Sequence, residues 1–338
     1  MQRIEILQLF ENQQDRVIID VRSPSEFEKG HIPNAINIPL FSDEERAIVG
    51  TTYKRASPEK AMLQGLDFVG QKMSMFVKRA KKLAPEKKLI VYCWRGGKRS
   101  GSLSWLWDMT GFDVMTINGG YKAYRTHVLE TIDNQPLILN RIGGKTGTGK
   151  TKILHHLSEL GEQVIDLEGL AHHKGSAFGS LGELPQPSVE HFENRLFDKI
   201  RTADSSKRIW IENESRSIGR CFLPDGFWSK FSDSKLYNIE IPTDARIQRL
   251  CDDYAKYDKN DLMAVFKNIE RKIGGQNAQA AIAALEIDDY PTATKIALSW
   301  YDKTYQFGLD STKAYETVAL VFSHAEMKKI AEELKNLS

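Results

Sequence analysis

Gly143-Gly144-Lys145-Thr146-Gly147-Thr148-Gly149-Lys150-Thr151 constrains the fold of this chain more than any other stretch. Gly144, Gly149, Lys150 and Thr151 satisfy the pattern G-x4-G-K-T in full. The apolar run Leu137 to Ile142 before it reads as a strand, and Lys152 to Leu157 after it reads as a helix. A strand, a glycine turn and a helix in that order aim backbone N–H groups and a helix N-terminus at one point, which makes a seat for phosphate. Gly144, Lys145, Thr146, Gly147, Thr148 and Gly149 would wrap a diphosphate and Lys150 would neutralise its oxygens. The Thr151 hydroxyl could hold Mg²⁺.

A second turn of similar build carries a sulfur. Leu89-Ile90-Val91 reads as a buried strand, Leu103, Trp105, Leu106 and Trp107 read as a helix, and Tyr92-Cys93-Trp94-Arg95-Gly96-Gly97-Lys98-Arg99-Ser100 lies between them. Two consecutive glycines let the backbone curl into an anion loop that includes Gly96, Gly97, Lys98 and Ser100, with the sulfur at its lip. Arg95, Lys98, Arg99 and the helix end favour thiolate over thiol, so Cys93 is the candidate nucleophile, assisted by Arg95 and Arg99. A small buried hydrophobe beside a basic turn is the alternative for a lone cysteine, and it stays open.

The remaining runs outline two α/β units. Arg16 to Arg22 is a strand that ends in charge, Ser23-Pro24-Ser25-Glu26 starts a helix, and Ala35 to Pro39 is another strand. Residues 44–85 are expected to be mainly helical, and Val114 to Tyr121 to be a last strand with a glycine turn. The polar passage Thr131 to Pro136 is taken as the boundary, giving domains of residues 1–133 and 134–338. In the second, Glu162 to Glu168 and Lys207 to Glu214 are expected strands that end in carboxylates, and Asp166 and Glu212 are candidates for metal or substrate contacts. Arg216 after the second strand, and Arg246 and Arg249 on a helix after the strand Leu236 to Ile241, are candidate phosphate clamps or ordinary ion-pair partners. His172 to Gly179 is a glycine-rich polar loop suited to closing over a substrate. Residues 261–309 look helical, Val318 to Phe322 and Ala325 to Leu337 make a closing strand and helix, and Tyr254, Tyr257, Tyr290, Trp300, Tyr301 and Tyr305 are expected in the core or lining a groove.

Length and composition fit this division: 338 residues with 41% hydrophobic content suffice for two ordinary cores. No apolar run approaches the roughly 18 residues that cross a bilayer, and no signal-peptide core stands at the N-terminus. The expectation is a cytoplasmic protein with no membrane partner. Cys93, Cys221 and Cys251 are too widely spaced for a disulfide framework or a zinc site. A net charge of +2 does not by itself indicate nucleic acid, although Lys78 to Lys82 and Lys87-Lys88 concentrate positive charge.

Asp20 to Phe27, Gly30 to Ala35 and Asn118-Gly119-Gly120-Tyr121, in that order, resemble the rhodanese (sulfurtransferase) domain over about residues 3–127. Cys93 stands where that family keeps its persulfide-forming cysteine, and under this resemblance His31 is a turn residue rather than a base. The C-x5-R-S spacing of Cys93, Arg99 and Ser100 is also similar to dual-specificity phosphatase loops, but Tyr92 stands where those carry His. Tyr92 to Gly97, Gly143 to Thr151, His173 to Gly179 and Glu212 to Arg216 make nearly the whole chain similar to the tRNA 2-selenouridine synthase family. The resemblance implies an α/β protein, an N-terminal rhodanese-like parallel-sheet domain followed by a P-loop NTPase-like α/β domain. It implies a transferase that converts wobble 2-thiouridine of tRNA to 2-selenouridine through an S-geranyl intermediate. Geranyl diphosphate and selenophosphate would be its co-substrates, with no tightly bound cofactor, and Cys93 would attack or steer the selenium. Two other classes remain open on the residues alone: a sulfurtransferase or phosphatase fused to an ATP-dependent kinase-like domain, and a non-enzymatic tRNA- or anion-binding protein.

Overall fold

Five short strands, β1 (Gln2–Ile4), β2 (Val17–Asp20), β3 (Ile36–Asn37), β4 (Lys88–Tyr92) and β5 (Asp113–Ile117), form the first sheet of the computed structural model, which describes residues 1–311 and 316–337. Their order is β1-β5-β4-β2-β3 and every pairing is parallel. Parallel neighbours need crossovers, and the helices α1 (Ile6–Asn12), α2 (Pro24–Lys29), α3 (Asp43–Arg55), α4 (Pro58–Gly70), α5 (Met73–Leu83), α6 (Lys98–Met109) and α7 (Gly120–Asn134) accompany the strands. The helical run expected over residues 44–85 is broken into three: one serine opens it, a second restarts it, and it breaks again at Gln71-Lys72 before α5. Ser42 accepts the Glu45 N–H, and Ser57, followed by Pro58, accepts the Lys60 N–H. Ile19, Phe76, Leu89, Val91 and Trp107 are central to the core, and the Trp107 indole donates to the Phe76 carbonyl at 3.2 Å.

The second sheet contains β6 (Ile138–Gly143), β7 (Gln163–Ile165), β8 (Arg208–Glu212), β11 (Lys235–Glu240) and β12 (Thr317–Val321), in the order β12-β11-β6-β8-β7 and again all parallel. A small hairpin, β9 (Ser217–Ile218) with β10 (Cys221–Phe222), stands apart. The helices are α8 (Lys150–Glu159), α9 (Leu167–Ala171), α10 (Val189–Thr202), α11 (Asp225–Ser232), α12 (Thr243–Tyr254), α13 (Lys259–Asn268), α14 (Glu270–Ile273), α15 (Gly275–Glu286), α16 (Tyr290–Ser311) and α17 (Met327–Asn336). One apolar core packs α8 and α17 on the sheet through Ile153, Leu157, Ile330 and Leu334. A separate core of Leu262, Phe266, Ala281, Leu285, Ala293 and Ala297 joins α13, α15 and α16.

Two compact units result, Met1–Thr131 with Glu193–Asp198, and Ile132–Phe192 with Lys199–Ser338. The passage read as a linker from Thr131 is helical through Asn134, because Tyr121, Tyr124, Val128 and Ile132 continue one buried helical face. The strand expected over Glu162 to Glu168 stops at Ile165, since Asp166 caps α9 by accepting the Gly169 N–H at 2.6 Å. Ser338, the end of the second expected domain, lies outside the described residues. Among the described residues no helix is long and apolar enough to cross a membrane.

Candidate active sites

The phosphate loop leaves β6 at Gly143 and enters α8 at Lys150. Gly147 and Gly149 hold φ of +83° and +86°, a region that favours glycine, and a Cβ on Gly149 would lie 2.6 Å from the Met327 sulfur. Gly144 N–H donates to the Tyr305 hydroxyl at 2.7 Å and Thr148 N–H to the Lys145 carbonyl at 3.1 Å. Among the described residues, the N–H groups of Gly147, Gly149, Lys150 and Thr151 find no acceptor. Lys150 Nζ rests on the Gly144 carbonyl at 3.1 Å, and the Thr151 hydroxyl donates to Glu168 Oε2 at 2.7 Å. The loop opens into a cavity of about 1030 Å³ that is also bordered by Asp166, Glu168, Glu214, Arg249 and residues 173–177. The polar loop His172 to Gly179 thus helps to wall this cavity, held to α16 by a 3.0 Å bond from Ala177 N–H to the Tyr301 hydroxyl.

Carboxyl groups also border this cavity or lie close behind it. Burial, and then the neighbouring Glu168, raise Glu214 to about 7, against an ordinary 4.5. Burial also raises Glu168, opposed by Lys150 and by the Thr151 hydroxyl. Glu212 is fully buried and pushed well above the usual carboxylate range by desolvation and by Asp166 and Glu168. Its Oε2 accepts the Leu167 N–H at 3.0 Å, while Oε1 is an orphan acceptor unless it carries a proton, which it can then share with Asp166. Glu212 therefore positions α9 from a buried place and does not border the cavity, whereas Asp166, the other expected contact, does border it, together with Glu168 and Glu214. Thr151 and Glu168 fit Mg²⁺, which takes oxygen ligands from one or two protein groups together with phosphate and water. Among the described residues no three His, Cys, Asp or Glu side chains are grouped to hold a metal by themselves.

Of the three arginines expected as clamps or ion-pair partners, Arg246 and Arg216 are ion-paired and Arg249 borders the cavity. Arg246 is 3% exposed, forms a two-point pair with Asp302 at 2.8 and 2.7 Å and donates to the Thr146 carbonyl at 3.1 Å. It braces the loop from behind. Arg249 borders the cavity but donates to the Gly147 carbonyl at 2.8 Å and to the Ala325 carbonyl at 3.2 Å. Arg216 is paired with Asp225 and lies outside the residues lining the cavity.

In the other unit, Cys93 follows β4 and is 3% exposed, packed on the core of the first sheet, with Sγ 3.3 Å from the Ser100 hydroxyl. The sulfur thus lies beneath the loop, and the expectation of a thiol at the lip is corrected. The loop is clasped from behind by Asn118-Gly119-Gly120-Tyr121: Tyr121 N–H donates to the Cys93 carbonyl and Lys122 N–H to the Trp94 carbonyl, both at 2.9 Å. Gly120 has φ of +59°, and a Cβ there would stand 2.2 Å from the Cys93 carbonyl oxygen. Gly96, at φ +64°, would bring a Cβ within 2.5 Å of the Ile117 carbonyl, whereas Gly97 faces open space at φ −101°. Only the first of the two glycines is demanded by the curl. Among the described residues, the N–H groups of Trp94, Arg95, Gly96 and Gly97 have no acceptor, and they stand at the N-terminus of α6 with Lys98.

Arg99 pairs with Glu26 at 2.5 and 3.2 Å, so its charge is already engaged, and Arg95 borders a different hollow with Glu5, Lys122 and Glu130. The contacts of both arginines are thus with groups other than Cys93. Arg22 is buried, bonded to Asp20 and, at 2.6 Å, to the Gly30 carbonyl, with its guanidinium 3.9 Å from the centre of the Tyr121 ring. His31 stacks on Phe27 with ring centres 3.7 Å apart and bonds the Phe27 carbonyl at 2.9 Å, the turn role rather than that of a base. No local signal marks Glu26, Glu168 or Glu214 as site residues in the sequence; Glu214 stands two residues after Glu212, and nothing nearby in the chain separates the two.

A family model described as the tRNA 2-selenouridine synthase AAA domain matches residues 136–336, and one for the rhodanese-like domain matches residues 4–127. Similar proteins include a tRNA 2-selenouridine synthase of Nitrosomonas europaea, 40% identical over 71% of this chain and 64% of its own length. Those of Shewanella frigidimarina and Shewanella denitrificans are 34% and 33% identical, over 88% and 95% of this chain and 89% and 95% of their own lengths.

Proposed function

The chain belongs to the tRNA 2-selenouridine synthase family, a family of transferases, and from that membership we propose that it replaces the sulfur of wobble 2-thiouridine by selenium in two steps. The observation that carries this reading is the presence, in one chain, of two sets of acceptor-free backbone N–H groups, one in the phosphate loop and one above Cys93. Each set suits one anionic donor.

Geranyl diphosphate belongs to the first. The thiocarbonyl sulfur of the base forms a bond to C1 of the geranyl group, the C1–O bond breaks, the diphosphate leaves with the electron pair, and the N3 proton of the base passes to water. Lys150 and the N–H groups of Gly147, Gly149, Lys150 and Thr151 stabilise the charge that grows on that leaving group. Mg²⁺ held by Thr151 and Glu168 would add positive charge to the same seat.

Selenophosphate, a tetrahedral anion, belongs to the second. Alkylation has turned a poor sulfide leaving group into a thiolate, so selenium adds at C2, the C2–S bond breaks and geranyl thiolate departs. Water then cleaves the Se–P bond, its hydroxyl going to phosphorus to release phosphate and a proton returning to N3 of the base. The N–H groups of the Cys93 loop and the α6 N-terminus hold the phosphoryl end of the donor, and the Cys93 thiol steers its selenium toward C2. Reaction on the base itself requires it to leave the anticodon stack.

Mass spectrometry of the wobble uridine tests the scheme. Geranyl diphosphate alone should give the S-geranyl nucleoside, selenophosphate alone no change, and both together 2-selenouridine. Selenium incorporation without geranyl diphosphate, or a requirement for ATP, would defeat it.

A further inference from the structure

Beside the phosphate-loop cavity lies a smaller slot of about 60 Å³. Thr146 of the loop itself, Ser176, Leu250, Tyr254 and Tyr301 border both spaces, so the slot opens where a ligand leaves the phosphate seat. No charged side chain lines it, and of the residues that border the slot alone only Cys251, Tyr290 and Thr294 bear polar side-chain atoms. The Thr294 hydroxyl is already turned to the Cys251 sulfur at 3.7 Å. The space exists because α16 presents alanine at two positions one turn apart, Ala293 and Ala297, opposite Phe266 and Leu285.

A nucleoside base in such a slot would leave ring nitrogens without partners, a costly burial. A hydrocarbon would leave none. We propose that the slot is the prenyl subsite of the diphosphate site and takes the distal isoprene unit of the donor, which deepens, and rests on, the geranyl transfer proposed above. A water needs about 10–15 Å³ of such space, so the slot has room for roughly four to six water-sized groups. That matches the five carbons of one isoprene unit rather than all ten of a geranyl chain. The proximal unit, which carries the reacting C1, then lies at the mouth among Thr146, Tyr254 and Tyr301, within the larger cavity that the base must enter. The slot thereby sets chain length: a five-carbon donor stops short of it, and a fifteen-carbon donor exceeds it.

Calorimetry on the full chain tests this with inorganic pyrophosphate, dimethylallyl, geranyl and farnesyl diphosphates. The wild type should prefer geranyl to dimethylallyl diphosphate by on the order of a hundredfold, since even one methylene in an apolar pocket is worth about tenfold or more. A293L and A297L fill the slot and should erase that preference while leaving pyrophosphate affinity unchanged. Retained pyrophosphate binding certifies a folded loop; if neither variant retains it, the wild-type preference and L285A, which should gain affinity for farnesyl diphosphate, decide the matter. A geranyl preference that survives in folded A293L and A297L, or an L285A that gains nothing for the longer chain, overturns the subsite and leaves geranyl transfer standing. Wild-type affinity for geranyl diphosphate no greater than for pyrophosphate would instead overturn the reading of the reaction itself.

Discussion

Glu214 carries the most informative titration in the chain. Its carboxyl, raised from 4.5 to about 7 by burial and by Glu168, is protonated in folded and unfolded chains alike below about 4.5 and contributes nothing there. Between 4.5 and about 7 the unfolded chain loses the proton first, so stability falls as pH rises, and above 7 the penalty persists in full. E214Q removes it and should be more stable than the wild type at pH 8 by on the order of 1–3 kcal/mol, with little difference at pH 4.5, as read by urea unfolding. Ionisation of Glu214 also puts a negative charge beside an anion seat. Wild-type affinity for geranyl diphosphate should therefore decline through pH 7, and that of E214Q should stay flat. The two steps separate at single residues as well: C93A should retain geranylation and lose selenium incorporation, whereas K150A should slow the prenyl step first. Loss of both activities in a folded C93A would contradict the division between the loops.

At the scale of the element, each loop depends on a neighbour that holds it from behind. Gly120, at the start of α7, leaves no room for a Cβ against the Cys93 carbonyl. G120A should cost about 3 kcal/mol or more in thermal unfolding, and with it the selenium step. Arg246 on α12 ties α16 and the phosphate loop together through Asp302 and the Thr146 carbonyl. R246A leaves a partly buried carboxylate unpaired and should cost about 3 kcal/mol, with weaker diphosphate binding. Glu212 at the end of β8 distinguishes a charged from a neutral role: E212Q, which can still donate to Asp166 and accept from Leu167, should be nearly neutral, while E212A should cost about 2 kcal/mol or more. These dependences were only half visible in the sequence. The Asn118-Gly119-Gly120-Tyr121 word was recognisable as a motif, but its work as a clasp appears only when β5 and β4 lie side by side.

For the whole molecule, each donor should leave its mark on one unit. Hydrogen exchange with geranyl diphosphate should protect residues 143–151 and 173–179 and leave 93–100 unchanged, and selenophosphate should do the reverse. Protection of both loops by either donor alone would contradict the assignment. The local code was sufficient for the two strand–loop–helix units, because glycine conformations, apolar runs and the G-K-T triplet act within a few residues of one another. It also sufficed for the parallel α/β class of both halves and for the family resemblance. It could not say which cations were spent on structure: Arg99, Arg246 and Arg216 look alike in one dimension, and their partners Glu26, Asp302 and Asp225 come from other segments. Nor could it place Cys93 under its loop, set Glu168 and Glu214 rather than Glu212 beside Asp166 on the cavity, or reveal an apolar slot built by α13, α15 and α16 beside Thr146. Charge pairing, desolvation and cavity shape depend on distances through space, and those are decided only when the helices pack.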